Sequence, residues 1–272
     1  MQYVKVTFAI TGQDAGDILM ALLADAGYDG FEETGQELFA YIEQPKFDDH
    51  ELKSIAEVSS INYKTELIPS QNWNALWESN FEPVIVADLC TIRADFHDIE
   101  ITTPYEIIIT PKMSFGTGHH ATTQLMITLM NDVSFTGRSV LDFGTGTGVL
   151  AILAEMMGAA YVLAIDNDEW SAENARENIL RNHCKNITVQ QGSLDDVDKS
   201  TTDIILANIN RNILLQYMPA LYRKLSTGGT ILMSGLLAED EQAIIQAATN
   251  EGFIFHKIAG QSNWIAIIFK KI

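Results

Sequence analysis

From residue 139 onward, short apolar runs rich in Val, Ile and Leu alternate with longer stretches of helical period. The runs at 139–143, 161–165, 187–190, 203–207 and 230–234 have the length and composition of buried strands. Between them, 149–157, 170–182, 212–225 and 239–250 read as helices, the last two closed by Gly228-Gly229 and by Gly252. This alternation predicts an α/β domain with a doubly wound, mostly parallel sheet. Two final runs, 253–259 and 264–270, have no helix between them and predict an antiparallel pair at one edge.

The first 66 residues follow a different rhythm. Residues 3–10 alternate as a strand, a helical run opens at Asp14 or Gly16 and stops at Gly27, and short strands follow at 28–32 and 37–42. A turn at Pro45, a helix near 48–59 and a strand at 61–68 complete a βαββαβ order, the ferredoxin-like α+β pattern. Residues 67–85 read as a linker in which Trp73, Trp77 and Phe81 form one stripe of a short helix. The larger domain is expected over 86–272, with a further helix from Gln124.

Composition narrows the class. With 47% hydrophobic and 19% charged residues in 272, a packed core is within reach and extensive disorder is not expected. No apolar stretch approaches the ~20 residues of a membrane span, and the opening Met-Gln-Tyr-Val-Lys-Val reads as a strand and not as a signal peptide. The two cysteines, Cys90 and Cys184, make no disulfide framework and suit a cytoplasmic protein. The formal charge of −19 repels a phosphate backbone, so neither nucleic acid nor membrane is an expected partner. The N-terminal lobe, with four lysines, no arginine and thirteen acids, carries −9 of that charge. A basic partner would be attracted to it.

The chemistry concentrates where strands end. Asp142-Phe143-Gly144-Thr145-Gly146-Thr147-Gly148 joins a strand to a helix through a glycine-spaced turn, which lets backbone approach a ligand closely. The next strand ends in Asp166, an acid placed to accept hydrogen bonds from ribose hydroxyls. A dinucleotide fingerprint would want Gly or Ala at Val149, and a phosphate-binding loop would want a lysine, of which there is none between Lys112 and Lys185. Ser193 and Leu194 stand in the turn after the next strand, and Asn208 ends the one after that. An asparagine there is either a ligand contact or the N-cap of the following helix. Upstream, residues 114–123 hold two glycines, three threonines and a helix start: an anion-receptive turn or a lid. The adjacent His119 and His120 cannot easily converge on one metal ion, and no metal site is expected.

Taken in order, Phe115-Gly116-Thr117-Gly118-His119-His120-x-Thr122-Thr123, the glycine turn, Ile165-Asp166-x-Asp168, Ala207-Asn208-Ile209 and Ser234-Gly235 resemble the ribosomal protein L-eleven lysine methyltransferases, the PrmA family of class I S-adenosylmethionine-dependent methyltransferases. The resemblance spans roughly residues 70–272, and the N-terminal lobe agrees in size and position. It implies a Rossmann-like domain that carries S-adenosyl-L-methionine and a small lobe that recognises the ribosomal protein. It also implies cofactor contacts at Thr117, Thr123, Gly144, Gly146, Asp166, Ser193, Leu194 and Asn208. Thr145, Thr147 and Ala121 depart mildly from the family's pattern, and Asn210 replaces its usual leucine near the acceptor site.

The implied reaction is methyl transfer to lysine side chains, with the α-amine a further candidate. It needs alignment and desolvation more than acid–base machinery. No strong base stands in the motifs, so Asn208 is expected to orient the neutral amine as the catalytic contact. Two alternatives stay open: methylation of a small-molecule amine, to which Asn210 points, and a non-catalytic cofactor-binding interaction module.

Overall fold

The computed structural model describes residues 3–9, 19–20, 22–24, 26–28, 30–34, 37–59, 61–68, 81–112, 114–198 and 200–272. Compactness divides the chain between Asn80 and Phe81. The strand from Val84 therefore belongs to the larger unit, although the sequence places residues 67–85 in a linker. The Trp73 and Trp77 stripe lies outside the described residues.

In the smaller unit, β1 (Tyr3–Ala9), β2 (Gly30–Thr34), β3 (Glu37–Glu43) and β4 (Tyr63–Ile68) form an antiparallel sheet in the order β2-β3-β1-β4. In β1, Val4, Val6 and Phe8 alternate inward, the period-two pattern read from the sequence. They pack with Leu38 and Ile42, with Leu52 of α1 (Asp49–Ser59), and with Leu19 and Leu23, which stand in helical residues of the run expected after Asp14.

The larger unit opens with a three-stranded sheet, β5 (Val84–Val86), β6 (Cys90–Ala94) and β7 (Tyr105–Ile109), followed by α2 (Ala121–Met130). Next come β8 (Ser139–Phe143), α3 (Val149–Met156), β9 (Tyr161–Asp166), α4 (Glu169–Arg181) and β10 (Ile187–Gln191). The chain ends with β11 (Thr202–Asn208), α5 (Arg211–Lys224), β12 (Leu225–Leu237), α6 (Glu241–Glu251), β13 (Ile254–Gln261) and β14 (Trp264–Lys270). The sheet order is β10-β9-β8-β11-β12-β14-β13, parallel from β10 to β12 and antiparallel at β14 and β13. Its two faces are buried under separate hydrophobic cores, as the near-continuous apolar strands require. The order reverses between β8 and β11, and ligands of such sheets bind outside the carboxyl ends of the strands at that reversal.

A polar device holds the front of this unit together. Asn174, Asn178 and Asn182 recur at every fourth residue along α4 and its C-cap, and they face the open edge of β7. Asn182 Oδ1 accepts from Ile108 N at 2.8 Å and its Nδ2 donates to Ile108 O at 2.6 Å. Asn178 Oδ1 accepts from Thr110 N at 2.7 Å, and Asn174 Nδ2 donates to Thr110 O at 3.2 Å. The side-chain amides thus replace a neighbouring strand and cover an edge that would otherwise be open. Asn178 also donates to Thr147 O at 2.8 Å, which ties α4 to the glycine turn.

Asn178→Ala would leave the Thr110 N–H and the Thr147 carbonyl buried without these partners. It should cost about 2–4 kcal/mol, from two lost buried hydrogen bonds. Denaturant unfolding at neutral pH measures this, and a loss under ~0.5 kcal/mol would show that the asparagine stripe is not structural.

Candidate active site

At the reversal point a cleft of about 640 Å³ opens, within the usual size of a small-ligand site. Its walls come from the glycine turn (Gly144, Gly146), from Asp166, Asn167 and Ser171, from Gly192 and Ser193, and from Asn208, Ile209 and Asn210. Phe143, Ile213, Gln216 and Tyr217 close one side, and Phe115, His120 and Trp264 another.

The glycine turn is held by its own backbone. Gly144 N and Thr145 N donate to Ile165 O at 2.9 and 3.0 Å, and Gly148 N donates to Thr145 O at 2.9 Å. Gly146 N donates to Asp166 Oδ2 at 2.9 Å and Thr147 N to Phe115 O at 2.9 Å. Five successive N–H groups are therefore spent inside the protein. The turn, which the sequence reads as a place of close backbone approach to a ligand, is thus no phosphate cradle, in line with the missing lysine. Gly146 has φ +55°, and a Cβ there would lie 2.3 Å from Phe115 O. The missing side chain lets the 114–118 turn dock, and Thr147 Oγ1 seals the contact by donating to Gly116 O at 2.8 Å.

Asp166 gives its second oxygen, Oδ1, to Asp168 N at 3.1 Å, and Asp168 caps α4 by accepting from Ser171 N and Oγ at 2.8 Å. Among the described residues Asp166 is the single carboxylate in the cleft wall, and no lysine or arginine lines it. This balance suits a cationic, phosphate-free ligand and opposes a pyrophosphate.

Asn208 is the clearest polar group. Its Nδ2 reaches Thr123 Oγ1 at 3.4 Å, while Oδ1 is buried without a partner among the described residues. Buried acceptors are rarely left alone, so this oxygen marks a place for a donor on a ligand. Asn208 does not cap the next helix; Asn210 does, its Oδ1 accepting from Ile213 N at 3.1 Å. Thr123, Asn208 and Gly144 also meet at a small polar hollow behind the cleft.

The structure thus gathers Gly144, Gly146, Asp166, Ser193, Asn208 and, through the hollow, Thr123. Thr117 and Leu194 line neither. The Thr117 hydroxyl pairs with His119 Nδ1 at 3.2 Å, and Leu194 is buried in the core beneath β8 and β11. His120 caps α2: Nδ1 stands 3.3 Å from Thr122 N and 2.8 Å from Thr122 Oγ1, and its ring meets Trp264 edge-on at 4.7 Å.

Comparison with known proteins fits this geometry. The family described as ribosomal protein L11 methyltransferase (PrmA) matches residues 25–272. A ribosomal protein L11 methyltransferase from Phocaeicola vulgatus is 39% identical over 278 residues, covering 99% of both chains. One from Porphyromonas gingivalis is 38% identical, covering 99% of this chain and 98% of the relative. This chain belongs to the ribosomal protein L11 methyltransferase family. The crystal structure of a ribosomal protein L11 methylase from Lactobacillus delbrueckii subsp. bulgaricus superposes with a TM-score of 0.64 at 30% identity, covering 70% of this chain and 99% of that one. Family membership makes the chain an S-adenosylmethionine-dependent methyltransferase of class I, as the motif order predicts. The described residues fit the cofactor: an acid for ribose hydroxyls, no lysine or arginine among them to repel a sulfonium, and a turn with no N–H left for phosphate.

Several wall residues escape a motif reading. Phe143, Ile213 and Tyr217 look like ordinary strand and helix apolar positions, and Trp264 opens a strand 121 residues beyond the glycine turn's Phe143. The edge-on contact of Tyr217 with Phe143 at 5.4 Å, and its hydroxyl donating to Asp195 Oδ2 at 3.1 Å, appear only in three dimensions.

Beneath the turn, Asp142 is fully buried, and burial lifts its carboxyl to about 7. Thr145 Oγ1, donating to Oδ2 at 2.6 Å, opposes this, and the charge of Asp166 adds to it. A carboxyl that holds its proton more tightly folded than unfolded stabilises the fold fully below about pH 4, and the contribution is lost as pH climbs through about 7. Relative to Asp142→Asn, the wild type should lose on the order of 2–3 kcal/mol between about pH 5 and about pH 8. Denaturant unfolding of both proteins at each pH checks this; a pH-independent gap would contradict it.

Proposed function

We propose that this chain transfers methyl groups from S-adenosylmethionine to lysine side chains of ribosomal protein L11, with the α-amine a second acceptor. The observation that carries the proposal is Oδ1 of Asn208, a buried acceptor without a partner among the described residues, in a cleft whose described wall holds no lysine or arginine. When bound, S-adenosylmethionine supplies a methyl group on a positively charged sulfur, open to in-line attack by nitrogen.

In this reading Asp166 takes the ribose hydroxyls while its other bonds keep the carboxylate fixed. Ser193 and Gly192 border the base. Thr123 holds the Asn208 amide, so its carbonyl oxygen points to the amine N–H and sets the nitrogen's direction. A lysine carries its proton up to about pH 10.4 in water. The cleft side formed by Phe115, His120 and Trp264 sets ring surface beside the amine and favours its neutral, nucleophilic form. The proton leaves to solvent before attack.

The lobe over residues 1–66 is assigned to substrate recognition and residues 86–272 to cofactor and chemistry. We read the lobe as ferredoxin-like, a reading that its strand order β2-β3-β1-β4 supports. Its formal charge of −9 suits a basic protein substrate. Among the described residues no helix is long and apolar enough to cross a membrane. We place the reaction in the cytoplasm, where ribosomal proteins are made.

Incubation with labelled S-adenosylmethionine and purified ribosomal protein L11, followed by mass spectrometry, should find methyl groups on lysines. Activity should fall as salt rises, because charge-steered encounter is screened. Labelling confined to small amines, without salt dependence, would sink the protein-substrate reading.

Asn208 and Asn210 separate chemistry from capping. Asn208→Ala should lower turnover far more than it raises the apparent cofactor constant. Asn210→Ala should remove about 1 kcal/mol of stability as a lost N-cap and leave turnover within a few-fold. Steady-state kinetics and thermal unfolding of both variants measure the contrast. Equal turnover in the two would contradict the role given to Asn208.

A further inference from the structure

At the end of the large sheet opposite the cleft, Asp132, Ser134, Arg138, Asp203, Thr230, His256 and Lys270 surround a second, strongly polar cavity of about 170 Å³. This is roughly the volume of five or six waters. It lies below the start of β8 and beside the end of β14. The five residues of β8 separate it from the glycine turn by roughly 16 Å.

The charges around this cavity are unevenly used. Asp203 Oδ2 already accepts from Ser139 N at 2.9 Å and Ser139 Oγ at 2.8 Å, and these bonds hold its carboxyl below the usual range. Asp132 is taken by Lys257 at 2.8 Å. The cations are less tightly held. Arg138 Nη1 makes a long ion pair with Asp203 Oδ1 at 3.8 Å, without a hydrogen bond. Neither His256 nor Lys270 has a side-chain hydrogen bond or ion pair among the described residues. Two hydroxyls, Ser134 and Thr230, add donors.

The local backbone is irregular here in a way that serves the cavity. The β13–β14 register jumps between Phe255 and Lys257, so His256 is the extra residue of a β-bulge, and it lines the cavity. The β11–β12 register breaks between Thr202 and Ile204, and the intervening Asp203 lines the same space. Bulges re-aim side chains and gather at functional sites. In a chain of net charge −19, a polar cavity with one unpaired lysine, an arginine held only by a long ion pair, an imidazole and two hydroxyls is fitted to an anion.

We propose that this cavity is a binding site for a small tetrahedral oxyanion of the phosphate class, distinct from the methyl-transfer cleft. Arg138 and Lys270 supply the charge, and His256, Ser134 and Thr230 supply directed donors. The site takes either free phosphate or the terminal phosphate of a small ester.

Calorimetric titration of the full chain with inorganic phosphate at low ionic strength, paired with thermal unfolding, tests the proposal. The wild type should bind saturably. The doubly substituted Arg138→Gln, Lys270→Gln protein should bind at least about tenfold more weakly, as expected for lost charge-assisted bonds, and lose the phosphate-dependent rise in Tm. A control with Lys185→Gln and Arg223→Gln removes equal charge elsewhere and should bind as the wild type does. His256→Gln, which leaves both cations in place, should weaken binding by a smaller factor and guards against misfolding of the double variant. Glycerol phosphate bound as tightly as the free ion would identify an ester as the source, and a preference for the free ion would identify inorganic phosphate. Absence of saturable binding, or equal weakening in the control, would overturn the site and leave only non-specific electrostatics.

Discussion

The site depends on one backbone contact, the docking of the 114–118 turn on the glycine turn through Thr147 N–H and Phe115 O. It forms because Gly146 has no Cβ where the Phe115 carbonyl must come. The same residue's N–H fixes the Asp166 carboxylate. One glycine thereby sets both the wall that brings in Phe115 and the acid that faces the ligand. Asn178 reaches the other side of the contact by holding Thr147 O, so α4, β7 and the turn form one connected polar frame.

This frame explains the ligand preference. A glycine turn with unspent N–H groups is an anion cradle. Here each of the five is taken by Ile165, Asp166, Phe115 or Thr145, and among the described residues the cleft wall carries one carboxylate and no lysine or arginine. The arrangement favours a sulfonium and an amine over phosphates. Transfer between two such groups needs orientation and exclusion of water, which the Thr123–Asn208 pair and the Phe115, His120 and Trp264 rings are placed to give.

Much of this is legible along the chain. The strands from β8 to β14 follow from runs of β-branched residues and glycine stops, and the antiparallel end follows from the missing helix between 259 and 264. Gly144, Gly146, Asp166 and Asn208 are readable because each ends a strand or stands in the turn just after one, where a sheet places its ligand. Other features hide for physical reasons. The asparagine stripe on α4 reads as an ordinary polar helix face, since its partner is the edge of a strand more than sixty residues earlier. β12 begins at Leu225, ahead of Gly228-Gly229, because Leu225 pairs with Thr202 of β11 and the two glycines bond to Lys271; the ladder with β11 resumes at Thr230. Leu194 follows a serine of the cleft wall but points into the core, and the capping bond of Asn210 to Ile213 N, made while the residue also lines the cleft, appears only in three dimensions.

The most direct measurement is S-adenosylmethionine binding to Gly146→Ala by calorimetry, with unfolding followed in parallel. An alanine at φ +55° costs about 1–2 kcal/mol in backbone strain alone, before the clash with Phe115. The variant, shown folded by the parallel unfolding curve, should bind the cofactor at least about tenfold more weakly, a loss of about 1.4 kcal/mol or more. A folded Gly146→Ala protein with wild-type affinity would contradict the claim that this contact builds the site.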